Sequence, residues 1–171
     1  MNTSFRLNTA LPRGLAAIKG TFLPAILFIA GNIVLPQIAH LVPGGGPTWL
    51  PIYFFTLVGA WCYGWRVGLL TAILSPVVNS LLFGMPAIAV LPPILLKSTI
   101  LAAAAAIAAD RCRATIGAIA AVVFAYQSLG TLGEWVLCGS FFEACQDFRI
   151  GLPGMLLQVA GGWLAIHRLH R

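Results

Sequence analysis

The fold class this sequence predicts is an all-α integral membrane bundle of six transmembrane helices with both termini cytoplasmic. Three observations lead there. Of 171 residues, 60% are hydrophobic and only 8% are charged, too few charges to clothe a soluble domain, so the solvent is lipid. The apolar residues fall into long runs separated by short gaps that hold proline, glycine or arginine. The lysines and arginines gather in alternate gaps, as the positive-inside rule generates. The formal charge of +6 does not point to nucleic acid, because the basic residues stand singly and not among aromatics. The length fits one domain, residues 1–171.

A helix needs about 20 apolar residues to cross the hydrocarbon core, with about 17 to 25 usual. The first runs from Gly20 to Val42 and stops at Pro43-Gly44-Gly45-Gly46-Pro47, which cannot continue a helix. Its polar lead is long and no small-residue cleavage site before a soluble domain follows, so it is expected to be a retained helix and not a signal peptide. The second runs from Trp49 to Tyr63 and the third from Val67 to Phe83, with Gly64-Trp65-Arg66 as the turn between. Gly84-Met85-Pro86 closes the third. The fourth runs from Ile88 to Ala109, the fifth from Thr115 to Gly139 and the sixth from Leu152 to His167. Several are short, which implies tilt or local bilayer thinning. The long continuous runs, with alanines from Ala102 to Ala106, are unlike a membrane β-barrel.

Six crossings put both ends on one side, and the charges choose which. Arg6, Arg13, Lys19, Arg66, Arg111, Arg113, Arg168 and Arg171 all fall on one face; the opposite loops hold Arg149 with Glu143 and Asp147. Both termini are therefore expected in the cytoplasm. Cys62 and Cys112 then lie near the cytoplasm, with Cys138 and Cys145 at or near the outer loop. An oxidising outer compartment would permit a disulfide between that pair; the alternative is two unpaired small hydrophobes. Their spacing fits no zinc motif. Ala16 and Gly20, Gly64 and Gly68, Ala102 and Ala106, and Gly117 and Ala121 have small-xxx-small spacing, which lets helices approach closely.

Ionisable groups at membrane depth are costly and mark function by default. Lys97 follows Pro92-Pro93 in the fourth helix, about nine residues or on the order of 13 Å from its outer end. Glu134 lies near the outer end of the fifth helix, Asn79 a turn from the outer end of the third, Gln158 two turns into the sixth and Gln127 midway along the fifth. Gln37 and His40 end the first on the outer side. One reading is a polar pocket open to the outside and capped by the Pro43–Pro51 loop, in which Lys97 meets an anionic group on a ligand and Glu134 orients a donor. The other is a Lys97–Glu134 ion pair, with the amides and His40 as glue between helices. Trp49 and Tyr53 fit either the pocket or an interfacial aromatic belt. Catalytic motifs, a nucleotide site, metal-ligand spacing and paired carboxylates are missing from the sequence, and there are only four acidic residues. It reads as neither an enzyme nor a cofactor protein, and active transport would draw energy from a partner.

Several segments resemble a known family. They are Val34-Leu35-Pro36, His40, the glycine-rich loop and Leu50-Pro51-Ile52-Tyr53-Phe54-Phe55; then Gly64 and Gly68, Leu74-Ser75-Pro76, Ser80-Leu81-Leu82-Phe83-Gly84-Met85-Pro86, and Phe148 to Gly154. Together they resemble the substrate-binding S component of energy-coupling factor (ECF) vitamin transporters, with pantothenate carriers nearest in the loop and the Gly-Met-Pro ending. The chain departs from the pattern at Tyr53 (often His), Phe55 (often Pro), Asn79 (often basic) and around Lys97 (often a carboxylate). The resemblance implies capture of a vitamin or related micronutrient at the bacterial cytoplasmic (inner) membrane. It implies docking on a transmembrane scaffold (T) subunit driven by two cytoplasmic ATPase subunits, through the first three helices, with toppling in the bilayer to carry the ligand inward. It assigns the pocket to the first loop and the outer ends of helices four to six. The alternative is a structural membrane protein of cell-shape machinery, which would bind no ligand and fill the pocket with side chains.

Overall fold

The computed structural model describes residues 15–169, with side chains from residue 20 onward. Arg6, Arg13, Ala16, Lys19 and Arg171 of the charge and small-residue patterns therefore lie outside the described residues or side chains. The described residues form helices and turns without strands. In order they are α1 (Leu15–Ala39), the short α2 (Gly45–Trp49), a 3-10 turn (Pro51–Tyr53) leading into α3 (Phe54–Tyr63), and α4 (Trp65–Phe83). A second 3-10 turn (Ile88–Val90) leads into α5 (Leu91–Arg111), followed by α6 (Ile116–Cys138), two short helices α7 (Phe141–Ala144) and α8 (Gln146–Ile150), and α9 (Leu152–Leu169).

The punctuation has local causes. Gly84 and Gly139 adopt left-handed conformations that end α4 and α6, their N–H groups donating to the Ser80 and Trp135 carbonyls. Thr115 and Ser140 accept hydrogen bonds from the N–H groups of Ala118 and Glu143, capping α6 and α7. The expected continuous helix from Trp49 to Tyr63 is instead broken at Leu50, which stands at φ 47°, ψ 46°. Leu50 precedes Pro51, and the proline ring disfavours the right-handed helical conformation for the residue before it. The first helix ends at Ala39, three residues before its expected limit at Val42. α7 and α8 fill a connection expected to be a plain loop.

Four helices are long and apolar enough to cross a membrane: Gly20–Ala39, Trp65–Phe83, Ile88–Arg111 and Ile116–Cys138. The apolar stretch Pro51–Tyr63 is shorter, and α9 carries Gln158, His167 and Arg168. α3 is nonetheless the most enclosed helix. Thr56 to Trp61 are all buried where α1, α4, α5 and α9 surround it. At Gly68 a β-carbon would collide with Ala60 at 2.5 Å and press on Ala102 at 3.3 Å, so this glycine sets how closely α3, α4 and α5 cross. Gly117 and Gly64 meet nothing within 4 Å, so of the Gly64–Gly68 pair only Gly68 serves packing inside the bundle.

The polarity is inverted relative to a water-soluble fold. Leu27, Val34, Leu81, Phe124, Val136 and Leu156 are exposed, whereas Asn32, Ser75, Asn79, Lys97, Gln127 and Gln158 are buried. In hydrocarbon an apolar surface costs nothing, while polar groups need partners inside. Asn32 illustrates this. Its Nδ2 donates to Thr56 Oγ1 (3.0 Å) and Ser75 Oγ (3.4 Å), and its Oδ1 accepts from the Phe55 N–H (3.2 Å). Asn79 Nδ2 donates to the Asn32 carbonyl (2.8 Å), and Gln37 donates to Asn79 Oδ1 (3.2 Å). The network joins α1, α3 and α4.

Candidate functional site

A cavity of about 350 Å³ opens at the end of the bundle where α1, α4 and α6 finish and α3, α5 and α9 begin. This size lies at the lower end of the roughly 300–1,000 Å³ usual for small-molecule sites. Its walls are largely apolar: Pro47, Leu50 and Pro51 from the α1–α3 connection, Met85 and Pro86 after α4, and Pro93 and Ile94 in α5.

Lys97 projects from the second turn of α5 and is buried. Its Nζ donates to Asp147 Oδ2 at 2.7 Å and forms an ion pair with Glu134 Oε2. All three line the cavity. The approach of α5 to α6 depends on two glycines. A β-carbon at Gly130 would overlap Lys97 Cγ, and one at Gly133 would overlap Leu96 Cδ2. The lysine stem thus lies across a glycine, four residues before the glutamate that receives its charge.

Glycines also seat the loop that forms the opposite wall. At Gly154, on α9, a side chain would strike the backbone of Thr48 and Trp49. At Gly151 it would strike the Leu50 side chain at 2.7 Å. α2 is therefore held flat against the start of α9. The 3-10 turn then carries Tyr53 into the wall. Its ring centroid lies 5.4 Å from that of Tyr126, whose hydroxyl donates to Gln158 Oε1 at 2.8 Å.

Of the eight residues singled out from sequence, the fold brings Lys97, Glu134, Tyr53 and His40 to the cavity. Trp49 does not line it; its side chain is exposed on the outside of α2. Asn79 belongs to the α1–α4 network. Gln158 is tied to Tyr126. Gln127 is buried, without a hydrogen-bond partner among the described residues, and with Thr131 and Glu134 forms a stripe along one face of α6. Comparison with family models, characterised proteins and solved structures found no match.

The residue the sequence reading missed is Asp147, which it counted as an outer-loop charge. A clue was present: a lone lysine within an apolar helix requires counter-charge, and Asp147 is one of only four acidic residues in the chain. Asn32 was missed because one amide among long apolar runs gives no signal. All four cysteines are free, Cys138 and Cys145 included. A cavity with apolar walls and a few convergent polar groups has the chemistry to hold and orient a small molecule.

Proposed function

We propose that the chain is the solute-binding S component of an ECF-type transporter, capturing a vitamin or related micronutrient outside a bacterial cytoplasmic membrane. The observation that carries this reading is the cavity with the Lys97–Glu134–Asp147 cluster on its floor, at one end of a membrane bundle. Arg66, Arg111 and Arg168, at helix ends, and Arg113, in the α5–α6 connection, stand at the end away from the cavity. By the positive-inside rule that end is cytoplasmic, and the cavity faces out. In this reading all six principal helices cross, and the short Pro51–Tyr63 stretch does so inside the bundle, screened from lipid by its neighbours. A transmembrane scaffold subunit and two ATPase subunits supply the energy.

The structural, ligand-free alternative calls for a site filled by side chains, and the open cavity favours solute binding over it. The test is thermal stabilisation of the purified full chain by a panel of vitamins and precursors. A ligand at about 100 times its Kd adds roughly 2.7 kcal/mol to stability. Stabilisation by at least one compound is expected; none by any would overturn the reading.

A further inference from the structure

We infer that the cavity takes a positively charged organic molecule, such as an amine, amidine or nitrogen-heteroaromatic cation, and not a carboxylate. This rests on the solute-binding reading above and names the class of solute.

The charge balance of the floor is the first ground. The ionisable side chains lining the cavity are His40, Tyr53, Lys97, Glu134 and Asp147. One ammonium faces two carboxylates, so the Lys97–Glu134–Asp147 cluster carries a formal charge of −1. A buried ion pair needs one carboxylate to balance a lysine, and the second is surplus negative charge in a setting of low dielectric. Among the described residues, Arg149 stands in the neighbouring α8 but lies over the Phe142 ring, 3.9 Å from its centroid, and does not line the cavity.

Access is the second ground. The Lys97 side chain is 3% exposed, against 19% for Glu134 and 15% for Asp147. The ammonium is engaged by its two partners, and the stem that carries it is covered by the helix crossing at Gly130. The carboxylates are what an incoming molecule meets. Each has two oxygens and about four acceptor positions. Only one oxygen of each is engaged by Lys97, and no other described residue hydrogen-bonds to either group. Acceptors therefore outnumber donors at the floor. An anionic ligand would bring a third negative charge beside these two and find the ammonium already occupied. A cation would restore neutrality.

The test uses the purified full chain in lipid nanodiscs, with thermal shift and calorimetry against three arms of probes. The cationic arm is thiamine, pyridoxamine and tryptamine; the anionic arm is pantothenate, biotin and nicotinate; the neutral arm is riboflavin and nicotinamide. Binding is expected in the cationic arm alone. Glu134→Gln and Asp147→Asn, each checked for an unchanged elution profile, should weaken it by about tenfold or more, as loss of a charge-assisted contact does. Binding confined to the anionic or neutral arm overturns the cation inference and leaves the solute-binding reading standing. Unchanged cation affinity in both folded variants overturns the inference too. Silence in all three arms removes the solute-binding reading and the inference with it.

Discussion

Lys97 is the residue on which sequence and structure converge most directly. Its depth in an apolar helix was legible at once, because a charge there is expensive whatever the fold. Its partnership was only half legible. Glu134 sits on the next helix and could be paired with it by reasoning on depth, but Asp147 arrives from a connection 50 residues away, and no periodicity encodes that meeting. The cluster makes a stability prediction. Lys97→Met leaves two half-buried carboxylates facing one another without a counter-ion, and should destabilise the protein by about 3 kcal/mol, the lower end of the cost of breaking a buried pair. The triple variant Lys97→Met, Glu134→Gln, Asp147→Asn removes all three charges together and should recover most of that loss, since neutral groups need no counter-ion. Thermal unfolding of both in the same detergent checks this. A single variant that melts like the wild type would mean that the carboxylates are fully hydrated and that Lys97 is not needed to balance them.

At the scale of elements, helix positions were readable wherever a terminator was strong. Gly84 and Gly139 ended their helices as their sequence surroundings implied, because a left-handed residue is cheapest at glycine. The misreading at Leu50 has the opposite cause. Hydropathy runs unbroken from Trp49 onward, so the apolar pattern hid a backbone restriction that the Leu50-Pro51 dipeptide carries. That break is what separates α2 from α3 and lets α2 lie on α9. The seat depends on Gly154, where a side chain would meet the backbone of Trp49. Gly154→Val should push α2 off α9, cost about 1–3 kcal/mol by overpacking, and weaken retention of any ligand, since Pro47, Leu50 and Pro51 form that wall. Faster ligand dissociation than from wild type is the expected readout. An unchanged dissociation rate would detach the α2 seat from the function of the cavity.

For the whole molecule, the inverted polarity follows from composition alone, whereas the direction in which the cavity faces is an argument from charge. It can be tested with the cysteines, all of which are free. Cys138 closes α6 at the cavity end, and Cys112 caps α5 at the opposite end; both are exposed. If the arginine-rich end is cytoplasmic, a membrane-impermeant maleimide added to intact cells should label a variant retaining only Cys138. A variant retaining only Cys112 should react solely after the membrane is permeabilised. If all six principal helices cross, as proposed, the same orientation puts a reporter fused after Arg171 in the cytoplasm, because six crossings would return the chain to the side of its first residue. Labelling of Cys112 from outside, with Cys138 protected, would turn the cavity toward the cytoplasm and end the case for uptake. Labelling of both from outside would mean an even number of crossings, or none, between them. That would remove α6 as a span, and with it the six-crossing topology.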